Sequence, residues 1–407
     1  MIYIHVPFCG SFCTYCDFYS EICRNGRAFD DYADAVIAEA FDRKEELSMN
    51  MSARSAVNTL YVGGGTPSVL PLSVLQRIVE AVRLTVAGSF GTNSPCAGGV
   101  ASADSANGAG FIAGSDAAAV AGSFTEFTVE VNPEDIVEKG SEYVRGLMAL
   151  GVNRISMGVQ SFDDGVLRWM NRRHDACGAV EAYRILRRCG VRNISVDLIF
   201  GLSQLTDELW ESTIEKALEL SPEHISAYQL SIEEGSALAR MVADGRYAEA
   251  SDEQCRRQYD ILCRCLGRAG YRHYEISNFA RPGFESVHNS AYWRRVPYVG
   301  LGPGAHSLNS DVRSWNTQVL PHRIPDRGLA TYSQGSEELS EEDIRIERIM
   351  LSLRTDDGLG SKDLYSLADS SSVDSLLSVG SLVRVNDRIR IPENHFFTSD
   401  EIIRELL

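Results

Sequence analysis

Short apolar runs alternate with longer amphipathic stretches along roughly the first 270 residues. Ile2–Val6, Thr59–Val62, Thr125–Val131, Arg154–Gly158, Ser195–Phe200 and His224–Leu230 read as strands. The stretches 29–47, 71–86, 138–149, 164–188, 207–220 and 253–269 carry apolar positions at helical spacing. A strand followed by a helix, repeated, is the signature of parallel βα units. Six such units predict an α/β fold built as a barrel or a partial (β/α)6 barrel. In such folds the working residues sit at the C-terminal ends of the strands.

Two regions break this rhythm. Residues 88–124 hold 10 Ala, 8 Gly and 6 Ser and neither Lys nor Arg, too little bulky apolar surface to repay ordering, so they read as a low-complexity insertion. From about residue 307 the βα alternation ends. A polar loop is expected over 308–337, then helices at Glu341–Leu353 and Lys362–Ala368, a strand over Leu382–Ile391 and a terminal helix at 399–407. The pattern divides the chain into a barrel domain, 1–306, and a small helical, winged-helix-like domain, 307–407.

Charge and composition narrow the function classes. With 39 Lys+Arg against 56 Asp+Glu the chain carries a formal charge of −17, which argues against a general nucleic-acid binder. Glu337, Glu338, Glu341, Glu342 and Asp343 open the C-terminal part and argue against DNA binding there too. No run of about 18 apolar residues predicts a membrane span. Residues 1–8 lack the basic start of a secretory signal, so a cytoplasmic location is expected. In that compartment the cysteines point to metal or redox chemistry before disulfides.

The strongest chemical signal is Cys9-x3-Cys13-x2-Cys16, directly after the first strand. Three thiolates at this spacing can converge from one loop, and soft thiolates select zinc or iron–sulfur. Zinc would ordinarily take a fourth nearby ligand, and Cys23 lies seven residues on. Three ligands on a four-iron cluster leave one iron open. Gly63-Gly64-Gly65-Thr66-Pro67 follows the second strand, where glycines allow close backbone approach. Glu130, Gln160 and Asp197 interrupt or end apolar strand runs, a costly placement unless they are paired. Arg172 follows Gln160 by twelve residues and suits a bidentate carboxylate contact. Tyr3 lies on the first strand.

The cysteine string, with Tyr15 before its last member, resembles the radical S-adenosylmethionine (SAM) superfamily. That resemblance implies a [4Fe–4S] cluster whose open iron chelates SAM, and one-electron cleavage of SAM to a 5′-deoxyadenosyl radical. Taken together the motifs resemble, more narrowly, the oxygen-independent coproporphyrinogen III oxidases and their relatives, the HemW haem chaperones. By that resemblance Tyr3, Gly64, Gly65, Thr66, Glu130, Gln160, Arg172 and Asp197 contact SAM. Gly201-Leu202-Ser203-Gln204 departs from the family's usual Gly-Leu-Pro-Gly, and 88–124 matches nothing in it.

Three features bear on the branch. The cysteine string lies close to residue 1, whereas the oxidases carry a long preceding arm. Phe18 stands where they carry a fourth cysteine. His288-Asn289-Ser290-Ala291-Tyr292-Trp293 resembles the string associated with haem binding in HemW proteins. Histidine can ligate haem iron, and Tyr292 and Trp293 can pack on a porphyrin. The expectation is therefore a haem chaperone: a protein that takes haem as cargo, passes it to a haem-requiring respiratory protein, draws electrons from a flavodoxin or ferredoxin, and meets the membrane at most peripherally. Decarboxylation of coproporphyrinogen III, and a barrel retaining only a structural cluster, remain the alternatives at this stage.

Overall fold

The structure is a computed structural model, and it describes residues 1–23, 26–52, 57–87, 124–319, 323–324, 328–329 and 334–407. Apart from Phe124, the insertion expected at 88–124 lies outside the described residues.

Nine strands form the central sheet: β1 (Ile2–Val6), β2 (Thr59–Gly64), β3 (Glu126–Val131), β4 (Arg154–Gln160), β5 (Ile194–Phe200), β6 (His224–Gln229), β7 (Arg272–Glu275), β8 (Asn278–Ala280) and β9 (Val299–Leu301). Their order is β9-β1-β2-β3-β4-β5-β6-β8-β7. β1 to β6 are parallel neighbours in chain order, as the sequence pattern predicted. β9 adds a parallel strand beside β1, and the hairpin β7–β8 pairs antiparallel with β6. Among the described residues β1 and β6 do not pair, so the barrel is partial and open.

Alternation along each strand explains why the sheet curves around a polar interior. One set of side chains (Ile4, Val62, Val129, Met157, Val196 and their neighbours) is buried and apolar. The outer helices pair with this framework: α1 (Gly26–Asp42), α2 (Leu72–Ala87), α3 (Pro133–Ala149), α4 (Ala176–Arg188), α5 (Asp207–Leu220) and α6 (Asp252–Arg268). The alternate set faces inward and is largely polar. Side-chain caps fix several helix starts; Thr206 accepts from the Leu209 N–H, and Ser251 from the Gln254 N–H.

Three expectations need correction. The stretch 164–188 is not one helix: Asp164–Trp169 ends at a turn, and α4 begins only at Ala176. Asn171 takes a left-handed φ of 57°, which its short amide tolerates, and the Asp175 side chain caps the new helix by accepting from the Gly178 N–H. Likewise 308–337 is not simply a loop, because His306–Asn309, Val312–Asn316 and Gln334–Glu338 pair as an antiparallel sheet. Beyond it, and following α7 (Val287–Trp293) in chain order, α8 (Glu341–Leu353) leads to two shorter helices and a small sheet that ends in the hairpin Val383–Val385/Arg388–Arg390. The continuous strand expected over Leu382–Ile391 is thus turned at Asn386, φ 57°. One buried apolar cluster runs from Ile2 to Leu406 and joins these elements to the sheet.

Candidate functional site: the cavity at the strand ends

The inward polar positions line a cavity of about 460 Å3 that runs from the C-terminal strand ends inward to Arg154 and His224 at the starts of β4 and β6. Cys9, Cys13 and Cys16 face it from the loop after β1. That loop is tied down by segments far away in sequence. The Gly65 and Thr66 N–H groups donate to the Val6 and Phe8 carbonyls at 2.8 and 2.7 Å. Thr14 donates through its N–H to the Met170 carbonyl and through its hydroxyl to that of Trp169, while the Asn171 amide donates to the Phe12 carbonyl. The Leu238 N–H donates to the Thr14 carbonyl.

The glycine run makes this clamp possible. A Cβ on Gly65 would stand 2.7 Å from the Phe8 carbonyl oxygen and 3.1 Å from Cys9 Sγ. Gly64 has φ +108°, and a Cβ there would meet the His5 ring. Thr66 donates its hydroxyl to Cys9 Sγ at 3.5 Å. Burial pushes the Cys9 thiol up and that of Cys16 up to about 11, so thiolates here call for a cation.

Glu130 sits opposite the glycine loop. Its carboxyl accepts from the Tyr61 hydroxyl at 2.7 Å and from the Gly64 N–H at 3.1 Å. Burial, with the Asp197 charge adding to it, holds Glu130 up at about 7 against those two donors. Asp197 is also pushed up by burial, although Ser156 and Ser195 donate to it. Arg172 donates to the Gly158 carbonyl at 2.6 Å and to Cys13 Sγ at 3.3 Å. Its Nε is buried without a hydrogen-bond partner, a donor aimed at nothing in the protein. Gln160 ends β4 with φ 67°, a left-handed backbone that a residue of this type adopts at a cost of about 1–3 kcal/mol. The cavity thus combines three thiols from one loop, an orphaned guanidinium N–H, two carboxyls and a strained strand end. This donor set fits an iron–sulfur cluster with a zwitterionic ligand beside it.

Ten of the residues singled out in the sequence line this one cavity: Cys9, Cys13, Cys16, Gly64, Gly65, Thr66, Glu130, Gln160, Arg172 and Asp197. Tyr3 does not line it; its hydroxyl lies 3.0 Å from His5 Nδ1, and its ring lies beside Tyr61. The sequence reading missed Tyr61, Ser156, Ser195, His224 and Tyr228, which line the same wall. Their signal was present, since each lies on the same alternate face of its strand as Glu130 or Asp197.

The string 288–293 goes elsewhere. It forms most of α7 (Val287–Trp293), set against the N-terminal ends of β2 and β3. Glu126, at the start of β3, accepts from the Val287 and His288 N–H groups at 2.9 and 2.8 Å and from the Ser286 hydroxyl at 3.4 Å. His288 is 1% exposed. Its Nδ1 lies 2.7 Å from the Thr59 hydroxyl and its Nε2 lies 3.1 Å from the Tyr292 hydroxyl. Both ring nitrogens are therefore engaged, and the expectation that His288 presents an open ligand position to haem iron is not met here. Tyr292 packs edge-on against Tyr298, and Trp293 is half-buried; neither lines the cavity, although Asn289 of the same helix does. The glycine-rich connection 302–305, between β9 and the strand His306–Asn309, is likewise packed: the Gly302 N–H donates to buried Glu39, which also accepts from the Asn316 amide and from Arg43.

A parallel half-barrel with a three-cysteine loop above its first strand defines the class. The chain belongs to the radical SAM superfamily, whose sequence model matches residues 3–217. More particularly, it is 31% identical to "Heme chaperone HemW" of Lactococcus lactis over 88% of this chain and 82% of that protein. It is 30% identical to the protein of the same name from Mycobacterium tuberculosis, over 100% of this chain and 94% of that one. Among solved structures, coproporphyrinogen III oxidase (HemN) from Escherichia coli superposes with a TM-score of 0.74 at 21% identity, covering 99% of this chain and 89% of that one, a likeness of fold. Membership of the superfamily implies a [4Fe–4S] cluster and SAM. No helix among the described residues is long and apolar enough to cross a membrane.

Proposed function

We propose that this protein binds haem and hands it to a haem-requiring respiratory protein, with the machinery in residues 1–306. One juxtaposition carries the reading. Phe12, Phe18 and Ile22 are 51%, 67% and 53% exposed on and just beyond the cysteine loop, in a chain that resembles named haem chaperones along its whole length. An exposed apolar rim beside a charged cavity suits a flat macrocycle with ionic substituents. Phe18, where oxidases of the family carry a fourth cysteine, is the most exposed of the three.

In this reading Cys9, Cys13 and Cys16 hold the cluster. Gly64, Gly65, Thr66, Glu130, Gln160, Arg172 and Asp197 hold SAM, with Tyr3 supporting from behind Tyr61. The ionised Glu130 faces the ligand's amino group, and the free Nε–H of Arg172 faces its carboxylate. The bound cluster and SAM supply one-electron chemistry, and a flavodoxin or ferredoxin is the fitting electron source. Tyr292 and Trp293 take part in haem binding only if α7 rearranges, and His288 only if its ring gives up Thr59 and Tyr292.

Haem titration of anaerobically reconstituted protein tests the proposal. About one haem should bind per chain with a shifted Soret band, and Phe18→Ala should weaken that binding. Rapid decarboxylation of coproporphyrinogen III, with no haem retained, would overturn it in favour of the oxidase.

A further inference from the structure

A second cluster of metal-ligating side chains lies away from the cavity, where the C-terminal part meets the hairpin β7–β8. Cys263 on α6, His273 on β7 and Glu393, at the start of the 3-10 helix Glu393–Thr398, each offer a donor atom, and the three donors lie within 4.8 Å of one another. Cys263 Sγ is 3.9 Å from His273 Nδ1, and that nitrogen is 3.2 Å from Glu393 Oε1. Ligands at about 2.0–2.3 Å in a tetrahedron stand roughly 3.3–3.8 Å apart, so these separations are already close to those of a bound ion.

The surroundings fix which nitrogen is available. The Tyr259 hydroxyl donates its proton to the Ile276 carbonyl at 2.8 Å. His273 Nε2 lies 3.3 Å from that hydroxyl oxygen and 3.4 Å from that carbonyl oxygen. Both therefore act as acceptors toward Nε2, which carries the proton. With the proton on Nε2, Nδ1 points its lone pair at a carboxylate oxygen and a thiol. Lone pair against carboxylate is repulsive unless a proton or a metal ion sits between them. Donation of the distal N–H to a carbonyl or hydroxyl is the usual support of a metal-bound imidazole. The ring is held in place by stacking on Phe279, with centroids 4.0 Å apart, and by an edge contact from Phe396. Glu393 is exposed, leaving one side open to water.

We infer that Cys263, His273 and Glu393 form a structural site for one zinc ion, completed by water, which pins the C-terminal segment to the hairpin β7–β8. One thiolate, one imidazole and one carboxylate are the donor types that zinc accepts. The alternative is an imidazolium–carboxylate pair with a bystander thiol.

The test uses the full chain with its iron–sulfur cluster loaded, so that Cys9, Cys13 and Cys16 are already occupied. Zinc ion is titrated against a chromophoric chelator. One zinc per chain should bind, with a single sulfur and otherwise N/O neighbours in zinc-edge X-ray absorption. Cys263→Ser and Glu393→Gln should each lower the affinity by roughly 10- to 100-fold. Glu393 lies at the surface and outside the cavity that holds Cys9, Cys13 and Cys16, so its substitution should leave iron content unchanged. Failure of the wild type to retain zinc, a three-sulfur shell, or undiminished affinity in Glu393→Gln would overturn the assignment.

Discussion

The two ends of the half-barrel are built from the same strands and differ in what they leave unsatisfied. At the N-terminal end Glu126, Thr59, His288, Ser286 and Tyr292 meet one another's hydrogen bonds around α7. At the C-terminal end Arg172 Nε has no partner, Gln160 holds a left-handed backbone, and two carboxyls crowd a 460 Å3 cavity. Saturated polar groups hold a structure together, whereas unsaturated ones wait for a ligand. A string of eye-catching residues therefore has to be placed at one end or the other before it is given chemistry, and His288–Trp293 belongs mainly to the saturated end.

Substitutions can break this contrast. The largest effect is expected at Cys13→Ala, where iron in reconstituted protein should fall from about four atoms per chain to nearly none; Cys23→Ala should keep its iron. Retention of iron by Cys13→Ala would remove the ligand assignment.

At the closed end, Glu126→Ala leaves one buried and one part-buried helix N–H group unpaired and should cost about 2–4 kcal/mol in denaturant unfolding, with iron content unchanged. A loss of SAM affinity without a loss of stability would place Glu126 in the wrong role.

Glu130→Gln should weaken SAM binding by roughly 10- to 100-fold, equivalent to about 1.5–3 kcal/mol for a charged hydrogen bond. Because burial holds Glu130 up at about 7, wild-type binding should weaken as pH falls below that value, and the variant should lose this dependence. The stability of the ligand-free protein runs the other way. A carboxyl with a raised folded pKa favours the native state below its unfolded value, and this advantage is lost as pH rises through about 7. Identical pH profiles for wild type and Glu130→Gln would refute both statements.

The smallest effect on ligand binding is expected at His288→Ala: a stability loss of about 1–3 kcal/mol and a haem affinity within about twofold of wild type. Burial first, and then the nearby amino-terminal charge, push His288 down to about 3, so it stays neutral in the folded chain. Such a histidine supports the native state above its unfolded value, and that support fades as pH falls from about 6.5 toward 3. Removing it should flatten part of the acid side of the stability curve. Disappearance of the Soret shift in this variant would return His288 to the haem site.

Much of this architecture was legible from residues alone. Strand β1 and helices α5 and α8 fall where apolar periodicity put them, because strong alternation and caps act locally. Cys9, Cys13 and Cys16 were visible as ligand spacing and Glu130, Gln160 and Asp197 as polar positions in or at the end of apolar runs, whereas Gly64, Gly65, Thr66 and Arg172 were placed at the site by the family resemblance. The break at Asn171 was missed although an Asn before a run of cationic residues and an Asp cap were there to be read. The fate of α7 was not legible: its destination depends on Glu126 and Thr59, more than 150 residues earlier, and pairing at that distance leaves no local mark. The short strands β7 to β9 were lost for a related reason, since three- and four-residue runs carry too few periods to stand out.

The anchoring of the cysteine loop also has a consequence for biogenesis. The three thiols are synthesised before the backbone that clamps their loop, which arrives with residues 65–66, 169–172 and, last, Leu238. A nascent chain shorter than that exposes three thiols on an untethered loop, open to oxidation or to the wrong metal. On the proposed ligand assignment, iron loading should follow completion of most of the half-barrel, and a stalled or truncated chain should emerge without it.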